Sequence, residues 1–316
     1  MTRTLLLVAA VVLGSLLAVS VVHRPGVAGA AGAGFWAGIV LLWALATLAV
    51  HRLSHLPVPG GLPTRGRDLA VPLLFGAFML VLWEVLIVGF GVPLVLMPPP
   101  SAIAARFVAS IPTLAADFWQ TFVKSVLTGW AMGAVAGFAV AIVCDRVPFL
   151  RRGLLPLGSF VAALPIIGIA PIMVMWFGFD WHSKAAVVVA MTFFPMLVNT
   201  VAGLAAAGQL ERDLMRSYAA GYWQTLFKLR LPAALPFVFN ALKINSTLAL
   251  IGAIVAEFFG TPIVGMGFRI SIEAARLALD MVWATIVVAA VAGSAFYGLV
   301  ALVERAATFW HPSYRR

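Results

Sequence analysis

From Met281 to Val303 the chain runs without a charged residue, and the same holds for Leu5–Val22, Phe35–Val50, Ser125–Cys144, Leu154–Phe177 and Ala185–Ala207. Two further runs are nearly as bare: Leu69–Phe90 carries Glu84, and Phe237–Phe259 carries Lys243 and Glu257. A helix needs roughly 20 apolar residues to cross a hydrocarbon core about 30 Å thick. These eight runs therefore predict an all-α membrane protein, a polytopic helical bundle of about eight transmembrane helices. Composition agrees, with 63% hydrophobic and 10% charged residues, whereas a soluble domain carries roughly 25% charged residues. A soluble fold this apolar would lack the polar surface to cover itself. Arg3 ahead of the first run and the small residues at 28–33 fit a signal peptide, but its uncharged length exceeds a usual signal core, so a retained anchor is the favoured of the two readings. In the seventh, Lys243 is expected to snorkel to the interface.

The net charge of +10 does not indicate nucleic acid, because the cations lie in short clusters between apolar runs, as in membrane loops. They set the orientation instead. With the N-terminus in the cytoplasm, 15 of the 21 Lys and Arg residues fall on that side. Only Arg24, Arg106, Lys124, Lys184, Arg269 and Arg276 fall on the other. The positive-inside rule then places both termini in the cytoplasm. The single cysteine, Cys144, excludes an internal disulfide and a cysteine-based metal site; it is read as a packing residue. No phosphate-cradling G-x-x-x-x-G-K-[S/T] run, catalytic constellation or metal-ligand cluster is visible, so neither catalytic residues nor a cofactor are assigned.

Gly129, Gly133 and Gly137 recur every fourth residue and so line one helical face, where a neighbouring backbone can approach closely. Pro156, Pro165 and Pro171 punctuate the fifth run, and Pro195 interrupts the sixth. Such prolines read equally as ordinary kinks in a bundle or as the wall of a pathway that changes shape. Glu84 and Glu257 are expected to bond to neighbouring helices rather than to meet a substrate. Asn199 and Asn245 are neutral candidates for lining a polar path, with Pro165 and Pro195.

One stretch breaks the apolar pattern. Residues 213–236, "DLMRSYAAGYWQTLFKLRLPAALP", crowd cations, aromatics and prolines between the sixth and seventh runs, on the cytoplasmic side. Asp213–Tyr218 is expected to form a short helix, and Ala219, Ala220 and Gly221 a sharp turn. A second amphipathic helix follows, with Trp223, Leu226, Phe227 and Arg230 at helical spacing. Pro232 and Pro236 are expected to end it. Such a pair fits either a partner's groove or an anionic lipid surface.

This stretch resembles the "EAA" cytoplasmic loop of ABC importer permeases, in which Glu-Ala-Ala is followed after three residues by Gly, then after nine by Ile, one residue and Leu-Pro. Asp213 stands at the Glu, Leu214 and Met215 at the two Ala, Ala219 at the Gly and Leu229 at the Ile, while Leu231 and Pro232 match the closing pair. The literal triplet Glu273-Ala274-Ala275 lacks the remainder of the pattern and falls on the non-cytoplasmic side. Further segments, "LWEVL" (82–86), "PPPSAI" (98–103), "ALPIIGIAPIMVMWFGF" (163–179), "FFPMLVNT" (193–200) and "IVAEFFGTPIVGMGFRI" (254–270), resemble the permeases of the nitrate, sulfonate and taurine group. That group also includes permeases for pyrimidine precursors of thiamine and for riboflavin.

The resemblance implies a six-span permease domain over residues 61–316, with a coupling loop at 211–236, preceded by two additional helices in residues 1–60. It implies a permease subunit in the bacterial inner membrane, itself not an enzyme. Its implied partners are two ATP-binding cassette ATPase subunits, a second permease copy and an extracytoplasmic solute-binding protein delivering a small polar or anionic solute. Asp213, Arg216, Ala219, Ala220, Gly221, Trp223, Leu229, Leu231 and Pro232 would form the ATPase-coupling loop. The alternative is a motor-independent secondary transporter or channel; it calls for ion-coupling residues at the membrane midplane, and intramembrane charge is sparse.

Overall fold

The computed structural model describes residues 2–27, 29, 31–55, 65–162, 165–260 and 263–310. Most of the cationic 55–67 segment, residues 163–164 and 261–262 of the quoted motifs, and His311, Arg315 and Arg316 lie outside the described residues. The described chain is helical and holds no strand. Its helices are α1 (Thr2–Val22), α2 (Ala33–Ser54), α3 (Arg65–Gly89), α4 (Pro100–Ala109), α5 (Ile111–Phe118), α6 (Thr128–Arg146), α7 (Pro148–Ala162) and α8 (Ile166–Phe177). Then follow α9 (Trp181–Ala205), α10 (Gln209–Ser217), α11 (Tyr222–Thr225), α12 (Leu231–Glu257), α13 (Met266–Ala275) and α14 (Leu279–Ala307). A π-helical stretch, Trp119–Leu127, joins α5 to α6, and another, Leu226–Arg230, joins α11 to α12.

Six of the described helical stretches are long and apolar enough to cross a membrane: Ala33–Ser54, Leu69–Gly89, Ile111–Arg146, Trp181–Ala205, Tyr222–Glu257 and Leu279–Ala307. The apolar helices Leu6–Val22 and Ile166–Phe177 are shorter. The expected single span Leu154–Phe177 is instead two helices. Pro165, with ψ at 120°, is extended, and α8 starts only after it. Proline has no N–H to give and disfavours helical geometry in the residue before it.

The contacts group the chain into two units. In the first, Met1–Ala109 with Arg276–Ala284, α1, α2 and α3 share an apolar interior around Val11, Ala46 and Ala49 and around Ala18, Val22 and Val85. Buried Glu84 of α3 accepts hydrogen bonds from the N–H and Oγ of Ser101 at 2.8 and 2.6 Å. His23 Nε2 lies 3.1 Å from the same carboxylate. Ser101 stands in the first turn of α4, where N–H groups lack intrahelical partners, so a carboxylate there satisfies one of them.

In the second unit, Ser110–Ala275 with Thr285–Arg316, α9 packs against both α6 and α12. The glycine stripe of α6 makes the first contact possible. A Cβ at Gly129 would stand 2.6 Å from Val188 Cβ, one at Gly133 would overlap the Thr192 side chain, and one at Gly137 would stand 2.5 Å from Phe193 O. Pro195 sits inside an unbroken α9 rather than interrupting it. Lys243 Nζ meets the Glu304 carboxylate of α14 at 2.6 Å, with both side chains largely buried, so the lysine charge is met by a carboxylate on a facing helix.

Candidate coupling site

The site grows out of the end of α9. The last four C=O groups of a helix lack intrahelical donors, and two cations supply donors to two of them here. Arg212 Nη2 donates to Ala205 O at 2.7 Å, and Arg230 Nε donates to Leu204 O at 3.0 Å. The first hooks α10 to α9; the second fixes the start of α12. Within α10, Glu211 lies in the first turn and Arg216 in the last, as the helix dipole favours. Arg216 also meets Asp213 at 3.1 Å on the exposed surface, a pair worth at most ~1 kcal/mol.

Helix α10 stops by a specific device. Ala219 N–H bonds to Arg216 O at 2.9 Å and Ala220 N–H to Met215 O at 3.0 Å, the doubled closure of a Schellman cap. That cap needs a left-handed residue, and Ala219 supplies it with φ at 51°. Glycine adopts this conformation freely, whereas a Cβ there costs about 1 kcal/mol. Ala219→Gly is therefore expected to tighten the turn by up to ~1 kcal/mol, read as slower amide exchange at residues 219–221. Gly221 then opens α11, its N–H bonding to Gln224 Oε1 at 3.2 Å.

The expected stop at Pro232 and Pro236 does not occur, and the helix runs on from Tyr222 to Glu257. The π stretch explains this. Leu231 N–H bonds five residues back, to Leu226 O, so the turn widens just ahead of Pro232, whose missing donor falls in the first turn of α12.

A buried pair braces the wide turn. Arg230 forks onto Asp145 of α6, with Nη1 to Oδ2 at 2.7 Å and Nη2 to Oδ1 at 2.5 Å. Tyr222 Oη donates to the same Oδ2 at 3.0 Å. Leu226 is fully buried against Leu204 and Ala234, and the Arg146 guanidinium lies 5.1 Å from the Tyr222 ring centroid and 5.9 Å from that of Trp223. The outer surface of the loop is different. Leu210, Leu214, Tyr218, Trp223 and Phe227 are each more than half exposed. This arrangement is a rigid, capped turn that offers apolar side chains outward while its root is bolted to α6 and α9.

Of the residues singled out from sequence, Asp213, Arg216, Ala219, Ala220, Gly221, Trp223, Leu229, Leu231 and Pro232 fall together in this segment. Sequence reading missed Asp145 and Tyr222. The available signal was Asp145 itself, an acid in the last turn of a helix, where the dipole opposes negative charge. The polar candidates separate. Asn199 is part-buried, its Nδ2 donating to Pro195 O at 2.8 Å while its Oδ1 accepts from exposed Asn240 at 3.4 Å. Asn245 is fully buried and donates to Thr192 O of α9 at 2.8 Å. Pro165 is exposed.

Glu257 belongs to a third group. It accepts from Thr121 Oγ1 at 2.8 Å and from Gly267 N–H at 2.6 Å. Met266 N–H donates to Thr121 Oγ1 at 2.7 Å and Gly265 N–H to Asp117 at 2.8 Å. Side chains from α5, the first π stretch and α12 thus cap α13, and the bond from Arg269 to Asp117, 2.8 Å long, pushes the guanidinium pKa above its ordinary value. Asp180 caps α9: the Trp181 N–H bond, aided by Gln120, holds its carboxyl below the ordinary value against the effect of burial.

Residues 132–309, which include the coupling segment and its Asp145 brace, match the family model described as the binding-protein-dependent transport system inner membrane component. The chain belongs to this family. Among curated relatives of this inner membrane component, the formylaminopyrimidine transport permease protein ThiX of Halalkalibacterium halodurans is 32% identical over 189 residues, 60% of this chain and 75% of that protein. The riboflavin transport system permease protein RibX of Chloroflexus aurantiacus is 26% identical over 238 residues, 74% and 88% of the two chains. The taurine transport system permease protein TauC of Escherichia coli is 28% identical over 237 residues, 73% and 86%. The inner membrane component is thus a multi-pass permease of an ABC importer, in the group of pyrimidine-precursor, sulfonate and taurine permeases.

Proposed function

We propose that the exposed face of residues 213–232 docks this permease onto a separate ATPase and that two permease copies, two ATPase subunits and an extracytoplasmic solute-binding protein make up the importer. One observation carries this reading: a capped turn with outward apolar side chains, braced at its root by the buried Asp145–Arg230 fork. A segment merely resting on lipid needs no such brace, whereas one that transmits force does. The solute is a small polar or anionic molecule; the names of the relatives, which concern formylaminopyrimidine, riboflavin and taurine, support that class. Asn199, paired with Asn240, would line the path beside Pro195, with Pro165 at its edge. Asn245 would serve it indirectly by holding α12 against α9. Glu84 and Glu257 would be structural, and residues 1–60 an addition to the 61–316 permease domain.

Both termini would lie in the cytoplasm. The split of 15 cations against 6 supports this orientation.

The purified permease alone is expected to hydrolyse no ATP and, with its ATPase, to form a two-plus-two complex. Single cysteines should be labelled from outside at 91–119 and 262–278 but not at 55–67 or 211–230. Hydrolysis by the isolated chain would overturn the subunit assignment; external labelling at 211–230 would overturn the orientation and the docking role together.

A further inference from the structure

The helix from Tyr222 to Glu257 is the direct mechanical route from the docking loop into the membrane, yet it contains a soft joint. In the π stretch Leu226–Arg230 the backbone bonds reach five residues rather than four, a rare form that occurs mostly as single widened turns inside α-helices. A push on α11 delivered through that joint alone would be absorbed by it. The carboxylate of Asp145 lies across the joint: Tyr222, ahead of the π stretch, donates to Oδ2 at 3.0 Å, and Arg230, at its end, grips both oxygens. The same guanidinium holds the last carbonyls of α9 through Leu204 O. All four groups are buried or half-buried, which strengthens their bonds relative to surface pairs.

We propose that Asp145 is a positioning residue for energy coupling: by clasping both ends of the π stretch, it makes the docking turn, α6, α9 and α12 move as one body. This rests on the docking reading above. Asp145 does not itself belong to the exposed docking face, so losing the clasp should separate ATP hydrolysis from movement of the helices without detaching the ATPase. A staple that served only folding would instead lower the yield of the complex and leave the coupling of the surviving molecules unchanged.

The test uses the permease reconstituted in bilayers with its cognate ATPase, with Cys144→Ala removing the sole native thiol and Asn240→Cys placing a reporter at an exposed position of α12. Trapping with ATP and vanadate should change the labelling of that cysteine by a water-soluble maleimide by about fivefold or more in this parent. In Asp145→Asn and in Tyr222→Phe the change should fall below about twofold, with ATPase association intact and ATP hydrolysis within about twofold of the parent. Tyr222→Phe alters one hydroxyl and leaves the Arg230 fork in place, so it decides the matter if Asp145→Asn fails to reach the membrane. Parent-like labelling changes in a variant that assembles would overturn the proposal. So would loss of ATPase association in Tyr222→Phe, which would make the group part of the docking face. Absence of any vanadate response in the parent would instead bring down the docking and path reading itself.

Discussion

Ala219→Asp is expected to leave the permease folded and inserted while abolishing its association with the ATPase. The reasons lie in the cap. Asp tolerates the left-handed conformation that position 219 adopts, so the turn itself should survive. The new carboxylate would stand at the tip of a loop whose neighbours Leu214, Tyr218 and Trp223 offer apolar surface. Desolvating an unpaired charge in a partner's cleft costs several kcal/mol, which at about 4 kcal/mol weakens binding roughly a thousandfold. Exposed Lys228 offers the contrast: Lys228→Ala should cost less than ~0.5 kcal/mol. Co-purification of the tagged permease with its ATPase reads both. Retention of the ATPase by Ala219→Asp at normal expression would show that the loop rests on lipid and that the grip lies elsewhere.

Gly133→Leu should have an effect of similar size on the fold. A Cβ at Gly133 already overlaps the Thr192 side chain and lies 3.1 Å from Val189 O, so a leucine there must part α6 from α9. Overpacking of this kind costs about 1–3 kcal/mol where neighbours yield, and a backbone carbonyl yields least. The variant should be recovered at low yield and aggregate in detergent. Gly153→Leu is the matched control, because nothing lies within 4 Å of a Cβ at that glycine. An equal loss of monodisperse protein from both variants would show that helix composition, not the α6–α9 approach, sets the outcome.

These two positions were legible before any coordinates because they depend on local rules. A glycine every fourth residue marks a face whatever the partner, and the small residues at 219–221 announce a turn. Membrane helices were equally plain from uncharged length, since lipid enforces one simple condition. What escaped depends on pairing over distance. Asp145 and Arg230 are 85 positions apart, and no periodicity within either segment points to the other. The partner of Lys243, Glu304, likewise sits in a different helix. The prolines misled in opposite directions. Pro165 stands extended just ahead of α8, within a run that hydropathy reads as one helix, whereas Pro232 and Pro236 sit inside a helix expected to stop. The difference lies in the widened turn ahead of Pro232, a feature of backbone geometry with no residue signature of its own.

Those two widened turns, at Trp119–Leu127 and Leu226–Arg230, also bear on how relatives should be aligned. In each the backbone bonds reach one residue further than in an α turn, and in an α-helix one residue is about 100° of rotation. A single-position gap falling there in an alignment would not mark a loop of variable length. It would mark a helix whose inward face had been turned, carrying Ala234, Ala241 and Asn245 away from the surface they cover.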